Sequence, residues 1–177
     1  AVGYQAAYNN TTGYYNVSVG RESFKTNTTG YQNTAVGDFA LYSNTTATNN
    51  TGVGFYAGYG ITTGAENTFL GYNAGNSGNG SGIIGIGYQA GRGGCTNSVW
   101  IGYNAGQSTS NSGTYNVGMG FYAGVSNTSG GSNVFIGYSA GSSNTTGGNN
   151  VFVGGEAGNG TGAGSSNTTG SQNTAVG

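Results

Sequence analysis

One short phrase recurs along this chain and closes each time on a glycine. Aligned on that residue, the copies end at Gly3, Gly20, Gly37, Gly54, Gly71, Gly87, Gly102, Gly120, Gly137, Gly154 and Gly177. The intervals are 17, 17, 17, 17, 16, 15, 18, 17, 17 and 23 residues. Self-similarity at a fixed short period marks a repeat architecture, in which a unit too small to bury its own apolar face stacks on its neighbours. The period covers residues 1–177, so the chain reads as a single array of ten repeats. It is irregular over 72–120 and carries an insertion loop at about 159–172.

Around the closing glycine the copies read "NVSVGRES", "NTAVGDFA", "NTGVGFYA", "NTFLGYNA", "IIGIGYQA", "SVWIGYNA", "NVGMGFYA", "NVFIGYSA" and "NVFVGGEA". The residue three before the glycine is Thr, Val or Ile, and the one directly before it is Val, Leu, Ile or Met. Alternation with β-branched residues predicts a short strand with one buried face. The regular first and third positions are expected to point inward. The variable residue between them, including Phe69, Trp100, Phe135 and Phe152, is then expected outside a thin core. Three residues after the glycine stands Ala, or Ser23 in one copy, which predicts a second inward position with room only for a tiny side chain. Clusters such as "NNTTGYY", "TNTTGYQ" and "SNTTGGN" supply turn residues that return the chain to the next strand. The expected fold is all-β: a parallel β-solenoid of about ten coils, a rod about 48 Å long at the roughly 4.8 Å spacing of neighbouring strands.

The composition supports order and excludes several functions. Of the 177 residues 40 are Gly and only 4% are charged, yet 14 Tyr, 7 Phe and a Trp argue against a disordered linker. A net charge of -1, with Arg21, Lys25 and Arg92 the only cations, removes the basis for binding nucleic acid or anionic membrane. No apolar run is long enough to span a bilayer. The sequence has no His, and its one thiol, Cys95, has only Arg92 nearby, so nucleophilic catalysis has no usual base. The carboxylates Glu22, Asp38, Glu66 and Glu156 form no catalytic or metal-binding pattern; Glu22 and Glu156 lie eight coils apart. "GVGFYAG" and "GIGYQAG" resemble a dinucleotide-binding glycine loop, but the spacing is wrong and no helix pattern follows. No catalytic, cofactor or metal residue is therefore assigned.

Four further features follow from placing the copies in register. Arg21 and Asp38 directly follow the glycine in adjacent coils and should pair at the surface. Asn16, Asn33, Asn50, Asn67, Asn116, Asn133, Asn150 and Asn173 open the motif, interrupted by Ile83 and Ser98, and should form an amide ladder. Tyr72, Tyr88, Tyr103, Phe121 and Tyr138 form a row of aromatic rings whose sharper reading is a glycan-contact surface and whose blander one is ring-on-ring packing. Asn10, Asn27, Asn44, Asn127, Asn144 and Asn167 each open an N-x-[ST] triplet and are candidate N-glycosylation acceptors in expected return loops.

The phrases "NTAVGDFALYSNTT" and "NVFIGYSAG", and the overlap of the terminal "QNTAVG" with the initial "AVGYQA", resemble the NTAVGYQA-type repeats of phage tail fibres and related bacterial surface fibres. They are also similar to the shorter repeats in YadA-like heads of trimeric autotransporter adhesins. The resemblance runs through the whole chain. It implies a left-handed β-roll, usually trimeric, displayed outside the cell or on a virion as stalk or adhesive head. The 17-residue period departs from the shorter adhesin-head repeat, so a different packing is open.

The expected function is a structural, non-enzymatic segment of an extracellular or virion-attached fibre, acting as stalk, appendage or adhesin. Because both ends read as ordinary repeat, a slice of a longer array or a unit stacking head to tail is expected. The partners expected are further copies of the chain, as a homotrimer or a head-to-tail fibre, with a host-surface glycan or matrix protein as a further partner. The alternative is an ice-binding or carbohydrate-binding β-solenoid, the former motivated by Thr12, Thr29, Thr46 and Thr63.

Overall fold

A computed structural model describes residues 1–155 and 166–177. Ten strands of three residues each, β1 (Val17–Val19), β2 (Thr34–Val36), β3 (Thr51–Val53), β4 (Thr68–Leu70), β5 (Ile84–Ile86), β6 (Val99–Ile101), β7 (Val117–Met119), β8 (Val134–Ile136), β9 (Val151–Val153) and β10 (Thr174–Val176), make one sheet. They are hydrogen-bonded in sequence order and every pairing is parallel, so the chain is a β-solenoid. The register never slips through the irregular stretch: Phe69 faces Gly85, Gly85 faces Trp100, and Trp100 faces Gly118. Changes of coil length are absorbed in the return loop. At the shortened coil after β4 the amide oxygen of Asn79 accepts the backbone N–H groups of Thr62, Thr63 and Gly64. In the regular coils a Thr carbonyl does the same work, as Thr28 O does for Thr11, Thr12 and Gly13.

The strand faces are the reverse of the expectation. In all ten strands the central, variable residue is buried and the β-branched residues on either side are half-buried or exposed. Phe69, Trp100, Phe135 and Phe152 are fully buried. Alternation distinguishes two faces but does not say which one is inside. β-branched residues favour extended backbone on either face of a sheet, so their regularity was no measure of burial.

What disguised the core position is that its size is compensated elsewhere in the coil. The residue four after the glycine also points inward. It is Phe24 and Leu41 in the coils whose central strand residues are Ser18 and Ala35, with Leu41 also reaching over Gly52 of the next coil, and it is Gly from residue 58 onward, as the aromatic rings begin. The rings in β4, β6 and β8 alternate with Gly52, Gly85 and Gly118 in β3, β5 and β7. A ring is broader than one rung, so each spreads over the glycine coils beside it. A methyl group on Gly118 would lie 2.3 Å from Trp100 Cε3, and one on Gly106 would lie 2.2 Å from Trp100 Cδ2. The expected inward Ala column holds: Ala40, Ala57, Ala74, Ala90, Ala105, Ala123 and Ala140 are fully buried, with Ser23 in the same column.

Each coil up to Gly154 turns at three left-handed corners, for example Glu22, Phe24 and Gln32 with φ of 54°, 52° and 57°. Such a conformation costs about 1–2 kcal/mol for a residue with a Cβ. Backbone bonds to the next coil hold the corners, as from Phe24 N to Ala40 O (2.9 Å) and from Gly106 N to Ala123 O (2.9 Å). The closing glycine is needed for a different reason. At Gly71 φ is +131° and a Cβ would sit 2.6 Å from the carbonyl oxygen of Gly87 in the next coil.

The amide ladder forms as a spine. Asn33, Asn50 and Asn67 each donate a backbone N–H to the side-chain oxygen of the Asn one coil earlier, at 2.9–3.0 Å. Their Nδ2 atoms cap the return-loop carbonyls of Ala47, Gly64 and Gly80. Ile83 joins the ladder only by donating its backbone N–H to Asn67 Oδ1, and the Ser98 hydroxyl substitutes for an amide below Asn116 by accepting its backbone N–H. Thus every buried Asn in this spine satisfies the coil on each side, which is the condition for burying polar groups. Residues 166–172 already follow the regular columns: Asn167 Nδ2 donates to Asn144 Oδ1, and Thr145 N to Thr168 O. The expected insertion loop is thereby trimmed at its end; its residues 159–165 lie outside the described residues.

Candidate functional site

The aromatic row is the most regular surface feature. Phe55, Tyr72, Tyr88, Tyr103, Phe121 and Tyr138 directly follow the closing glycines and stack face to face along the rod. Successive centroids are 5.5, 5.2, 4.8, 5.0 and 5.5 Å apart, with interplanar angles of 13° or less. The spacing follows the rung, and the rings gain contact energy by offset stacking. Each inner ring has both faces covered by its neighbours, leaving an edge and, in the tyrosines, a hydroxyl to solvent. A sugar stacks on a ring face, so Tyr72, Tyr88, Tyr103 and Phe121 do not offer the platform that a glycan-contact row requires. The geometry is that of the blander reading.

Shorter stacks lie in other columns: Phe39 on Tyr56 (4.9 Å), Tyr42 on Tyr59 (5.1 Å) and Tyr14 on Tyr31 (4.9 Å). Sequence reasoning missed them, although the signal was present, since both members of each pair are 17 residues apart. Burial raises the Tyr59 pKa above its ordinary value, with Tyr42 contributing less.

The charges gather at the first coils. Arg21 and Asp38 pair as expected, Nε to Oδ2 at 3.5 Å, with both side chains well exposed. Asp38 Oδ1 also accepts the Arg21 backbone N–H at 2.8 Å. Lys25 Nζ donates to Glu22 Oε2 at 3.0 Å, and this bond raises the Lys25 pKa. The Arg21–Asp38 pair faces solvent, where an ion pair is worth about 0–1 kcal/mol, whereas Lys25 and Glu22 are partly buried. Glu66 is exposed in a return corner, and Glu156 lies outside the described residues. Among the described residues no three His, Cys, Asp or Glu side chains come together as a metal site.

Cys95 is fully buried and serves packing. The Trp100 indole Nε1–H donates to its Sγ at 3.2 Å, and burial pushes the thiol pKa up to about 11. A protonated thiol closed off from solvent is no nucleophile. A shallow cleft lies between Tyr122, Val125, Ser126, Ser139, Ser142 and Ser143. It brings hydroxyls together with no carboxylate, thiol or cation in its lining.

The candidate glycosylation residues are inside the coil. Asn27, Asn44, Asn127 and Asn144 are fully buried, and Asn10 and Asn167 are half-buried at the two ends of the same column. Asn27, Asn127 and Asn144 each donate from Nδ2 to the glycine carbonyl three residues on. A glycan on these amides has no room in the folded coil. Asn44 is the exception in bonding: neither amide atom has a partner. The cause is local. At Gly30 a Cβ would sit 2.4 Å from Asn27 Oδ1, whereas the equivalent of Gly30 one coil later is Ala47, whose methyl group occupies that place.

Twenty outward side chains, those flanking the central residue of each strand, form the remaining feature. They are Val, Thr, Ile, Leu and Met without a single charge, in two straight columns along the sheet. Among the described residues no helix is long and apolar enough to cross a membrane. Set against known protein families, curated proteins and solved structures, the chain matches none.

Proposed function

We propose that the chain is a structural, non-enzymatic segment of a fibre displayed outside the cell or on a virion, and that it associates with further copies of itself through the outward strand face. The observation that carries this reading is the uncharged strip of Val, Ile, Leu, Met and four Thr side chains running through ten rungs. Ten rungs of about 4.8 Å and three residues of about 3.3 Å give a flat strip of about 480 Å². That equals the largest apolar patch of an ordinary monomer, roughly 300–600 Å², before the adjoining aromatic row is counted. Two such strips face to face bury about 1,000 Å², where specific interfaces begin. The resemblance to trimeric surface fibres makes a homotrimer the expected state. The aromatic residues at the central strand position take no part in this contact, since they fill the core.

The test is the mass of the particle in solution by light scattering after size-exclusion chromatography, for the wild-type chain and for Val53→Lys with Ile86→Lys. The reading expects an oligomer that the paired substitution reduces to a folded monomer. A wild-type chain that is monomeric at every concentration would sink it. A second reading, ice binding, draws support from Thr34, Thr51 and Thr68, which stand in one outward column beside Val36, Val53 and Leu70. It replaces Thr12, Thr29, Thr46 and Thr63 as the relevant threonines. Absence of thermal hysteresis dismisses it.

A further inference from the structure

The ladder holds three tyrosines in successive coils. Tyr72 lies on Tyr88 at 5.2 Å and 5°, and Tyr88 lies on Tyr103 at 4.8 Å and 8°. All three are about two-fifths exposed, at 45%, 38% and 42%. Their neighbours along the stack are phenylalanines, Phe55 below and Phe121 above. We propose that Tyr72, Tyr88 and Tyr103 form an oxidative cross-linking site, at which a one-electron oxidant such as a peroxidase with hydrogen peroxide joins adjacent coils through dityrosine.

The chemistry balances without any further reactant. Each of two stacked tyrosines gives one electron and its phenolic proton to the oxidant and becomes a phenoxyl radical. The two radicals pair their electrons in a bond between ring carbons ortho to the oxygens. The hydrogens on those carbons then move to the oxygens and restore both phenols. Two tyrosines and one hydrogen peroxide thus give one dityrosine and two waters. The structure contributes three conditions to this step. Exposed hydroxyls can release their protons to water. Parallel rings 4.8–5.2 Å apart hold neighbouring phenols side by side, and partial exposure leaves room for the rings to tilt into bonding distance. Finally, phenylalanine lacks the phenol and is harder to oxidise, so Phe55 and Phe121 end the run of phenols along the stack, and the one other phenol against it, Tyr122, meets Tyr103 edge-on at 5.9 Å instead of face to face. Such a bridge would staple coils across β4, β5 and β6, where the return loops are shortest.

The inference stands independently of self-association, because both coupling partners belong to one chain. The experiment treats the folded protein, at dilution, with horseradish-type peroxidase and hydrogen peroxide, then maps cross-linked peptides by mass spectrometry and follows dityrosine fluorescence. The expected products are intrachain Tyr72–Tyr88 and Tyr88–Tyr103 bridges, each with the loss of two hydrogen atoms, beside those of the two isolated stacked pairs, Tyr14–Tyr31 and Tyr42–Tyr59. Tyr88→Phe removes both, because Tyr72 and Tyr103 are then two rungs apart, while Tyr115→Phe changes neither. Coupling distributed by exposure, with Tyr4, Tyr8 and Tyr115 prominent, overturns the proposal. So do products confined to covalent dimers, or bridge yields that Tyr88→Phe leaves unchanged.

Discussion

Replacing Trp100 by alanine and, separately, Ile101 by alanine tests which strand face is inside. The two residues are adjacent in β6, and the outcome differs sharply with orientation. Trp100 is fully buried, lies against Gly106 and Gly118 on either side, and meets the Phe135 ring at a centroid distance of 6.4 Å. Its truncation leaves a void spanning more than one rung that the glycines around it cannot fill, and it frees the Cys95 sulfur from its indole donor. Large-to-small changes of this kind cost about 3–5 kcal/mol. Ile101 is half-buried on the outer face, so in a monomer its truncation forfeits only part of an isoleucine's burial, about 1 kcal/mol. The assay is urea unfolding followed by far-ultraviolet circular dichroism, at a concentration where the chain is monomeric. The expected order is a large drop for Trp100→Ala and a small one for Ile101→Ala. Equal costs, or the reverse order, would refute the assignment of the central residue to the core.

Other perturbations follow from particular contacts. Gly71→Ala combines a glycine-only backbone conformation with a carbonyl in the way and should cost at least about 3 kcal/mol in the same assay. Gly155→Ala, with nothing among the described residues within 4 Å of the added carbon, should leave the unfolding midpoint in place. Asn44→Ala removes two amide atoms that have no partner and should be nearly neutral, whereas Asn127→Ala breaks bonds to Gly130 and Asn144 and should cost about 2 kcal/mol. Cys95 should resist iodoacetamide in the folded chain and react once urea unfolds it. Because folding raises the thiol pKa from 9.0 to about 11, its contribution is intact below pH 9 and is lost as pH rises toward 11. A Cys95→Ser chain should lack that alkaline component of the stability profile.

The solenoid, its register and its inward alanines were legible because each depends on one residue type repeating at one position. The orientation of the strand was not. A position that runs from Gly52 to Trp100 looks like a tolerant surface when strands are compared one at a time. It becomes a core position only when read beside the residue four after the glycine, Phe24 or Leu41 early and Gly58 to Gly141 later, and beside the coils above and below. Size is conserved in the interior summed over neighbouring coils, not at any single position. The Asn residues misled differently. In "NTT" the side chain turns inward to cap its own turn, so a triplet that suits a glycan acceptor is used as a buried brace. Nor do the left-handed corners announce themselves, since Glu22, Phe39 and Tyr56 occupy a conformation that glycine or asparagine would signal. The stacks of rings were visible wherever aromatic residues recur at 17, 16 or 15 residues, once a common rung was granted.

Trp100 is the only tryptophan, so its fluorescence reports a single site in the interior of the coil. Emission of the native chain should be blue-shifted and unaffected by iodide, becoming red-shifted and strongly quenched only after unfolding in urea. Native emission already quenched by iodide as in the unfolded chain would place the indole outside and contradict the packing described for every strand.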